Sequence, residues 1–327
     1  MVLKKLKEKI LSQSDMYNFY KDEYESSQHK KLNDIERLVN THQEMLNNLF
    51  IFYKFEPTPY LTSMRTLSYE LLKFMDNICK KYDLEWWLDY GTLLGSIRHG
   101  DFVPWDDDLD CAMMREDYNK IITIIDDEIK ENNLTKVIGA YKLDRTDIQT
   151  KRWFQIRYQY PGFKNTFTTL DIFPYDYIKD YNGEDIKEKY YDCIRKYYTY
   201  PKDHDMKPYM DEVFDKLNLT LERDDYIIPS VENVRGKIPR VTMYPYKIIK
   251  TEDVFPLKRE TFGIYQFPTP NNTTQYLKDI YGNNYLRIPK KVRDHKRLNR
   301  FIKEENIMEM LQEGIDMLKK ANANYGY

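Results

Sequence analysis

The chain has 327 residues, enough to bury a sizeable core as one large domain or two modest ones. Its 51 basic and 53 acidic residues give a formal net charge of −2, so composition argues against a nucleic-acid-binding protein. No stretch approaches the roughly 20 apolar residues that span a bilayer, and the basic start turns polar too early for a signal peptide. We therefore expect a cytoplasmic protein.

The three cysteines are predicted to be buried small hydrophobic residues. Cys79, Cys111 and Cys193 are widely spaced, odd in number and without CxxC or CxxH spacing. This pattern argues against both a zinc site and a disulfide framework.

The N-terminal segment, residues 1 to about 55, is predicted to be helical. Its apolar residues recur at steps of three and four among charged positions, and Pro57 and Pro59 end the pattern. Such a helix could dock on a catalytic body, pair with a second copy as a short coiled coil, or lie on a membrane surface. Its polar face carries both charges, which favours docking or homodimerisation over membrane contact.

The rest of the chain alternates between helical and strand patterns. The predicted elements are, in chain order, a helix over 62–82, a strand over 86–88, a turn at Gly91 with a helix from about Thr92, an acidic strand after Pro104, a helix over 117–130, hairpin strands within 137–160, a buried strand over 168–173, helices between 183 and 215, a hairpin over 255–267 that turns at Gly263, and a short helix over 273–280.

Four aspartates occupy five positions at 106–110 and suggest a metal site. Alternating side chains of a strand share a face, so Asp106, Asp108 and Asp110 would point the same way, as hard oxygen ligands suited to Mg²⁺ or Mn²⁺. A solvated acidic loop is the common alternative. The apolar flanks, 102–105 and 111–114, favour burial, and buried carboxylates need a partner. Asp171 is the single charged residue of the predicted strand TTLDIF. It is either a hydrogen-bonded cap or a further residue of the metal site, and the nearby acidic cluster favours the metal site.

Two further segments have the chemistry to bind phosphate. The stretch from Tyr90 to Ser96 supplies Gly91, Gly95 and hydroxyl side chains where a backbone turn could approach a phosphate. Residues 290–296 pack four basic residues and one histidine into seven positions, either as a solvated face or as a phosphate contact.

Three segments of the chain resemble the LicD family. They are DYGTLLGSIRHGDFVPWDDDLD, residues 89–110, LDIFPYD, residues 170–176, and the block 253–296 with its FPL, FxG, YL and YG elements and final histidine. The family is similar to bacterial phosphocholine transferases and, more distantly, to the fukutin-related transferases of animals.

The resemblance implies an α/β (α+β) fold, a nucleotidyltransferase-like mixed sheet flanked by helices. The corresponding division is a helical N-terminal extension over 1–58, a catalytic domain over 59–300, and a C-terminal helix and tail over 301–327.

Carried over by position, the resemblance assigns the metal to Asp108, Asp110 and Asp171. Asp171 would share a second metal or accept the proton of the acceptor hydroxyl. The remaining catalytic and phosphate-binding candidates are Gly91, Thr92, Gly95, Ser96, Arg98, His99, Arg293 and His295. A basic residue expected near Phe154 is Lys151, Arg152 or Arg157.

The activity implied is transfer of a phosphocholine-like group from a CDP-linked donor to a sugar hydroxyl of a glycan or glycolipid, with release of CMP. The acceptor would be presented at the inner membrane face, with peripheral membrane contact. A choline head group would be held by aromatic faces, for which the candidates are Trp86, Trp87, Trp105 and nearby tyrosines. The alternative is that the tryptophans pack the core, as at least one of Trp86 and Trp87 must. The alternatives are an Asp-x-Asp glycosyltransferase with a UDP- or GDP-sugar donor, or a non-catalytic glycan-binding scaffold.

Overall fold

A computed structural model describes residues 2–52, 56–141, 154–163, 166–199, 206–233, 246–289 and 301–326. In these ranges the helices are α1 (Val2–Phe52), α2 (Pro59–Lys81), α3 (Tyr90–His99), α4 (Arg115–Glu131), α5 (Lys187–Thr199), α6 (Lys207–Leu217), α7 (Thr251–Val254), α8 (Thr273–Tyr281) and α9 (Ile307–Ala323). The strands are β1 (Trp87–Leu88), β2 (Leu109–Met114), β3 (Ile138–Tyr141), β4 (Phe154–Tyr158), β5 (Thr168–Ile178), β6 (Leu219–Thr220), β7 (Tyr226–Pro229), β8 (Ile249–Lys250), β9 (Lys258–Phe262) and β10 (Tyr265–Thr269).

The strands of the described residues form a mixed sheet of eight strands and a separate hairpin of β9 and β10. The main path of the sheet runs β1-β2-β5-β4-β3, while β6 and β7 extend β5 and β8 pairs with β7. β2 and β5 run parallel, and the other pairs are antiparallel. The predicted mixed sheet with flanking helices is therefore confirmed.

The main core surrounds β5, whose residues are all buried. Burial of every residue along a strand is typical of a strand that is covered on both faces. α2 begins at Pro59, after Thr58 accepts a hydrogen bond from the Leu61 N–H as its N-cap. The buried stripe of α2 packs against this core together with α9. A smaller core lies under α5 and α6 and includes Cys193.

Most predicted elements are confirmed within one to three residues of their expected ends. The hairpin at 137–160 is confirmed as β3 and β4, and the C-terminal hairpin turns at Gly263 as predicted. The three cysteines are all free and buried, as expected. The basic block over 290–296 lies outside the described residues.

The chain divides into two compact units. One comprises Met1–Glu56 with Arg287–Val292, and the other comprises Pro57–Leu286 with Arg293–Tyr327. In the first, Asn47 of α1 accepts a hydrogen bond from the Ile288 N–H at 2.8 Å, and Glu44 pairs with Arg287 at 3.1 Å. α1 confirms the predicted N-terminal helix, while its docking or pairing partner stays a prediction.

None of the described helices combines the length and the apolar character that crossing a bilayer needs.

Candidate metal and active site

Asp110 and Asp171 lie side by side on the two parallel strands of the sheet. Asp110 of β2 is the direct register partner of Asp171 of β5. Register partners on neighbouring strands point to the same face, and neighbouring strands are about 4.8 Å apart. Asp171 is only 3% exposed, so its carboxylate faces Asp110 with little water around it.

The other acids of the cluster lie in the loop before β2. The expectation that Asp106, Asp108 and Asp110 share one face of a strand is therefore wrong. Because β2 begins at Leu109, only Asp110 belongs to the strand, and Asp106, Asp107 and Asp108 precede it in irregular backbone. Carboxylate oxygens of these three residues nevertheless come within 4.8 Å of one another. The loop therefore keeps Asp106 and Asp108 among the candidate ligands and adds Asp107.

The electrostatics of this arrangement favour a bound cation. Desolvation and the negative charges of Asp108, Asp171, Asp106 and Asp89 raise the pKa of Asp110 well above its usual value. Like charges held this close repel strongly where water is excluded. A divalent cation relieves that repulsion, and the all-oxygen donor set suits Mg²⁺ or Mn²⁺.

The first turn of α3 lies directly against the acids. The Asp110 N–H donates to the Thr92 hydroxyl at 2.7 Å, and the Gly91 N–H points to Asp110 Oδ2 at 3.3 Å. The sequence analysis expected Gly91 in a turn before the helix. The structure instead places Gly91 inside the first turn of α3. Tyr90 before it adopts a φ of 37°, a left-handed conformation that is costly for a residue with a side chain and often marks a functional site.

Gly91 leaves the space that the Asp106 carboxylate occupies. A Cβ at this position would lie 2.6 Å from Asp106 Oδ2. We expect Gly91→Ala to displace the Asp106 side chain, lowering metal affinity about tenfold with little change in the unfolding temperature. A metal titration and a thermal melt check this.

Gly95→Ala is the matched control. A Cβ on Gly95 would lie 2.4 Å from the Asp101 carbonyl oxygen and 2.9 Å from the Val103 nitrogen, which are backbone atoms. This substitution should lower the unfolding temperature strongly. Equal loss of stability in both variants would contradict the assignment of Gly91 to the site.

Asp89 fixes the start of α3 through a buried hydrogen-bond network that the sequence analysis missed. Its side chain caps the helix by accepting from the Tyr90 N–H, and it accepts from the hydroxyls of Tyr175 and Tyr276 at 2.9 Å each. The Trp87 indole donates to the Tyr276 hydroxyl at 3.0 Å. Burial raises the pKa of Asp89 to about 6, although these hydrogen bonds lower it. An aspartate directly before a helix is an N-cap signal that could have identified it.

Arg98 and His99 lie in the last turn of α3, about 10 Å along the helix axis from Gly91. Arg98 donates to His99 Nε2 at 2.9 Å and to the Tyr285 carbonyl oxygen at 3.3 Å, and its guanidinium lies over the Trp105 ring. Burial and the adjacent Arg98 charge lower the pKa of His99 to about 4, so His99 is neutral near pH 7. Their contact with a transferring phosphate stays a prediction.

The remaining residues predicted for the site do not all lie beside the acids. The Ser96 hydroxyl donates to the Thr261 carbonyl oxygen at 2.8 Å, a contact between α3 and β9. Trp86 and Trp87 are 2% and 0% exposed and both belong to the core, so of the two expectations for them core packing is the correct one. Trp105 remains half-buried. Arg293, His295, Lys151 and Arg152 lie outside the described residues.

Gln155 of β4 extends the row of site residues across a third strand. It is the register partner of Asp171, and its amide nitrogen donates to Asp171 Oδ1. The Gln155 oxygen in turn accepts from Arg157, the described member of the three basic candidates near Phe154. The sequence analysis missed Gln155, because a polar residue in a hairpin strand usually faces solvent.

The middle of the chain also matches a known family. Residues 83–221 match the sequence profile described as LicD/FKTN/FKRP, nucleotidyltransferase domain. This range includes β1, α3, the acidic loop, β2, β4 and β5, and thus every described residue of the acidic site. Residues 83–221 thus match the nucleotidyltransferase domain of this family.

Individual relatives support the same family. Over 122 residues the chain is 29% identical to the lipopolysaccharide cholinephosphotransferase LicD of Haemophilus influenzae, covering 36% of this chain and 44% of that protein. Over 48 residues it is 38% identical to the ribitol 5-phosphate transferase FKRP of mouse and of human, covering 15% of this chain and 10% of each relative. The matches thus span less than half the length of these curated relatives.

The LicD-family motifs occupy two different places in the fold. The GTLLG and DDDLD segments meet at the acidic site, whereas Asp176, the last residue of the DIFP-x-D segment, forms a buried ion pair with Arg115 at 2.8 Å. The resemblance noted from the sequence is confirmed, and its third acid, Asp171, lies next to Asp110.

Proposed function

We propose that the chain is a metal-dependent phosphotransferase. It moves a phosphocholine or similar phospho-alcohol group from a CDP-linked donor to a sugar hydroxyl of a cell-surface glycan precursor. The new bond joins the acceptor oxygen to the donor's alcohol-linked phosphorus. The bond broken joins that phosphorus to the bridging oxygen, which leaves with CMP, and a base accepts the hydroxyl proton.

The observation that carries the proposal is the register pairing of Asp110 with Asp171 inside a LicD-family domain. Asp108, Asp110 and Asp171 would hold the metal, with Asp106 of the loop next to them. A bound Mg²⁺ or Mn²⁺ supplies positive charge that stabilises the negative charge developing on the leaving CMP. The names of the relatives, a cholinephosphotransferase and a ribitol 5-phosphate transferase, support transfer of a phospho-alcohol.

The chain's own groups bind and orient the donor beside these acids. The first turn of α3 presents Gly91 and Thr92 at a helix N-terminus, where backbone N–H groups favour a phosphate. The Asp89 network with Tyr175 and Tyr276 holds that turn rigid. The buried flank of Asp171 excludes water, which limits hydrolysis of the donor.

A panel of donors tests the proposal. The purified chain is incubated with Mg²⁺ and either CDP-choline, CDP-ethanolamine, CDP-ribitol, CDP-glycerol, UDP-glucose or GDP-mannose, with and without glycan extracts, and released nucleotides are separated by chromatography. We expect CMP from at least one CDP-linked donor, dependent on Mg²⁺ and abolished by EDTA.

The controls separate this activity from its alternatives. Asp127 is an exposed acid of α4, and Asp127→Asn should leave CMP release unchanged. Release of UDP or GDP without CMP would overturn the phosphotransferase in favour of a glycosyltransferase. Binding of glycan without release of any nucleotide would indicate a scaffold.

A further inference from the structure

Three site residues form a row across neighbouring strands of the sheet. Gln155 of β4 is the register partner of Asp171 of β5, and Asp171 is the register partner of Asp110 of β2. Register partners share a face, so the amide and the two carboxylates lie next to one another in that order. Gln155 is 1% exposed, so its polar atoms depend on protein partners.

Both ends of the Gln155 side chain are engaged. Its nitrogen Nε2 donates to Asp171 Oδ1, while its oxygen Oε1 accepts from Arg157 Nε at 2.9 Å and also from Arg157 Nη2. A guanidinium can only donate, so the two Arg157 donors require the amide oxygen on their side. The amide nitrogen is therefore directed to Asp171.

We propose that Gln155 and Arg157 are positioning residues that orient the Asp171 carboxylate toward the metal. This inference rests on the proposed function, because it takes Asp171 as a metal ligand. The amide holds Asp171 Oδ1 and so fixes the orientation of the carboxylate beside Asp110. Because Arg157 acts through a neutral amide, it orients Asp171 without cancelling the negative charge that metal binding needs.

The test measures Mn²⁺ affinity of the full chain by electron paramagnetic resonance, which needs no donor or acceptor. Gln155→Met keeps the length of the side chain and removes its donor. We expect it to raise the Kd for Mn²⁺ about tenfold, the effect usual for losing a hydrogen bond to a metal ligand. With a donor, kcat should fall while KM changes little.

Gln159→Met is the matched control. Gln159 follows β4, and its amide donates to the Phe163 carbonyl oxygen, away from the acids. Its Kd for Mn²⁺ should equal that of the unchanged chain. If Gln155→Met binds Mn²⁺ as tightly as the unchanged chain, the positioning role is wrong.

A double-substitution comparison tests whether Arg157 acts through Gln155. Arg157→Met alone should raise the Kd about threefold, and Gln155→Met/Arg157→Met should bind no more weakly than Gln155→Met. If the increases in Kd of the two single variants multiply in the double variant, Arg157 does not act through Gln155 and the proposal is wrong. Arg157 is less buried than Gln155, so Arg157→Met carries the test if Gln155→Met does not fold, and an unchanged Kd would then refute the proposal.

The outcomes also separate this inference from the proposed function. If no CDP-linked donor is cleaved but Gln155→Met weakens Mn²⁺ binding, the donor class is wrong and the positioning role stands. If the unchanged chain does not bind Mn²⁺, both are wrong. If CMP release is normal and both variants bind Mn²⁺ normally, the positioning role alone is wrong.

Discussion

Asp110→Asn is expected to abolish nucleotide release while making the metal-free protein more stable. Loss of a metal ligand should lower turnover on the order of 10³-fold, because stabilisation of the leaving phosphate depends on the bound charge. In EDTA, removing one of several crowded carboxylates relieves their mutual repulsion, which is worth about 1 kcal/mol or more. Chromatographic assay of CMP and thermal melts in EDTA measure the two effects.

The same pair of measurements distinguishes a metal site from an ordinary structural acid. Mg²⁺ should raise the unfolding temperature of the unchanged chain and have much less effect on Asp110→Asn, since a ligand that binds only the folded state stabilises it. Asp127→Asn should match the unchanged chain in both assays. An Asp110→Asn protein that is destabilised in EDTA, or that retains full turnover, would disprove the metal assignment.

The sequence predicted the strands of the site better than the loop. TTLDIF has the apolar run of a buried strand, and β5 extends it to Ile178 with Asp171 inside. Asp106 and Asp108 were expected on a strand because their alternation has a period of two. The backbone turns after Val103, where the Asp106 N–H donates to the Val103 carbonyl oxygen at 2.8 Å, and the strand starts only at Leu109.

Contacts between distant segments account for what the sequence could not predict. The role of Gln155 depends on the register of β4 against β5, and register is set by the folded sheet and not by either segment alone. Asp89 meets Tyr276, which lies 187 positions further along the chain, only when the fold brings the two segments together. Trp86 and Trp87 were candidates for a head-group site because aromatic residues suit both a core and a binding pocket, and burial decided between the two.

Arg115 and its acidic partners form a second charged cluster, at the opposite end of β2 from Asp110. Arg115 Nε and Nη2 donate to the two carboxylate oxygens of Asp176 at 2.8 and 3.1 Å, and Nη1 donates to Glu232. Nη2 also donates to the Ser230 hydroxyl at 2.7 Å. The nearby acids raise the pKa of Arg115 well above its usual value, against the effect of burial.

Arg115→Met is expected to destabilise the protein by about 3–5 kcal/mol, the usual cost of removing one partner from a buried ion pair. Asp176 is 1% exposed and Glu232 is 6% exposed, so both carboxylates would remain desolvated without their cation. Denaturant unfolding at pH 7 measures the loss. Mn²⁺ affinity of the protein that remains folded should be close to that of the unchanged chain, because this cluster lies at the opposite end of β2 from the proposed metal ligand Asp110.

Arg115→Met/Asp176→Leu serves as the control for charge. Replacing both members of a buried pair by apolar residues removes the unpaired carboxylate, so this double variant should recover part of the stability lost by Arg115→Met. Recovery would show that Asp176, five residues after Asp171, has a structural role, in contrast to the metal-binding role proposed for Asp171. A double variant less stable than Arg115→Met, or a tenfold loss of Mn²⁺ affinity in the folded single variant, would instead place Asp176 with the catalytic acids.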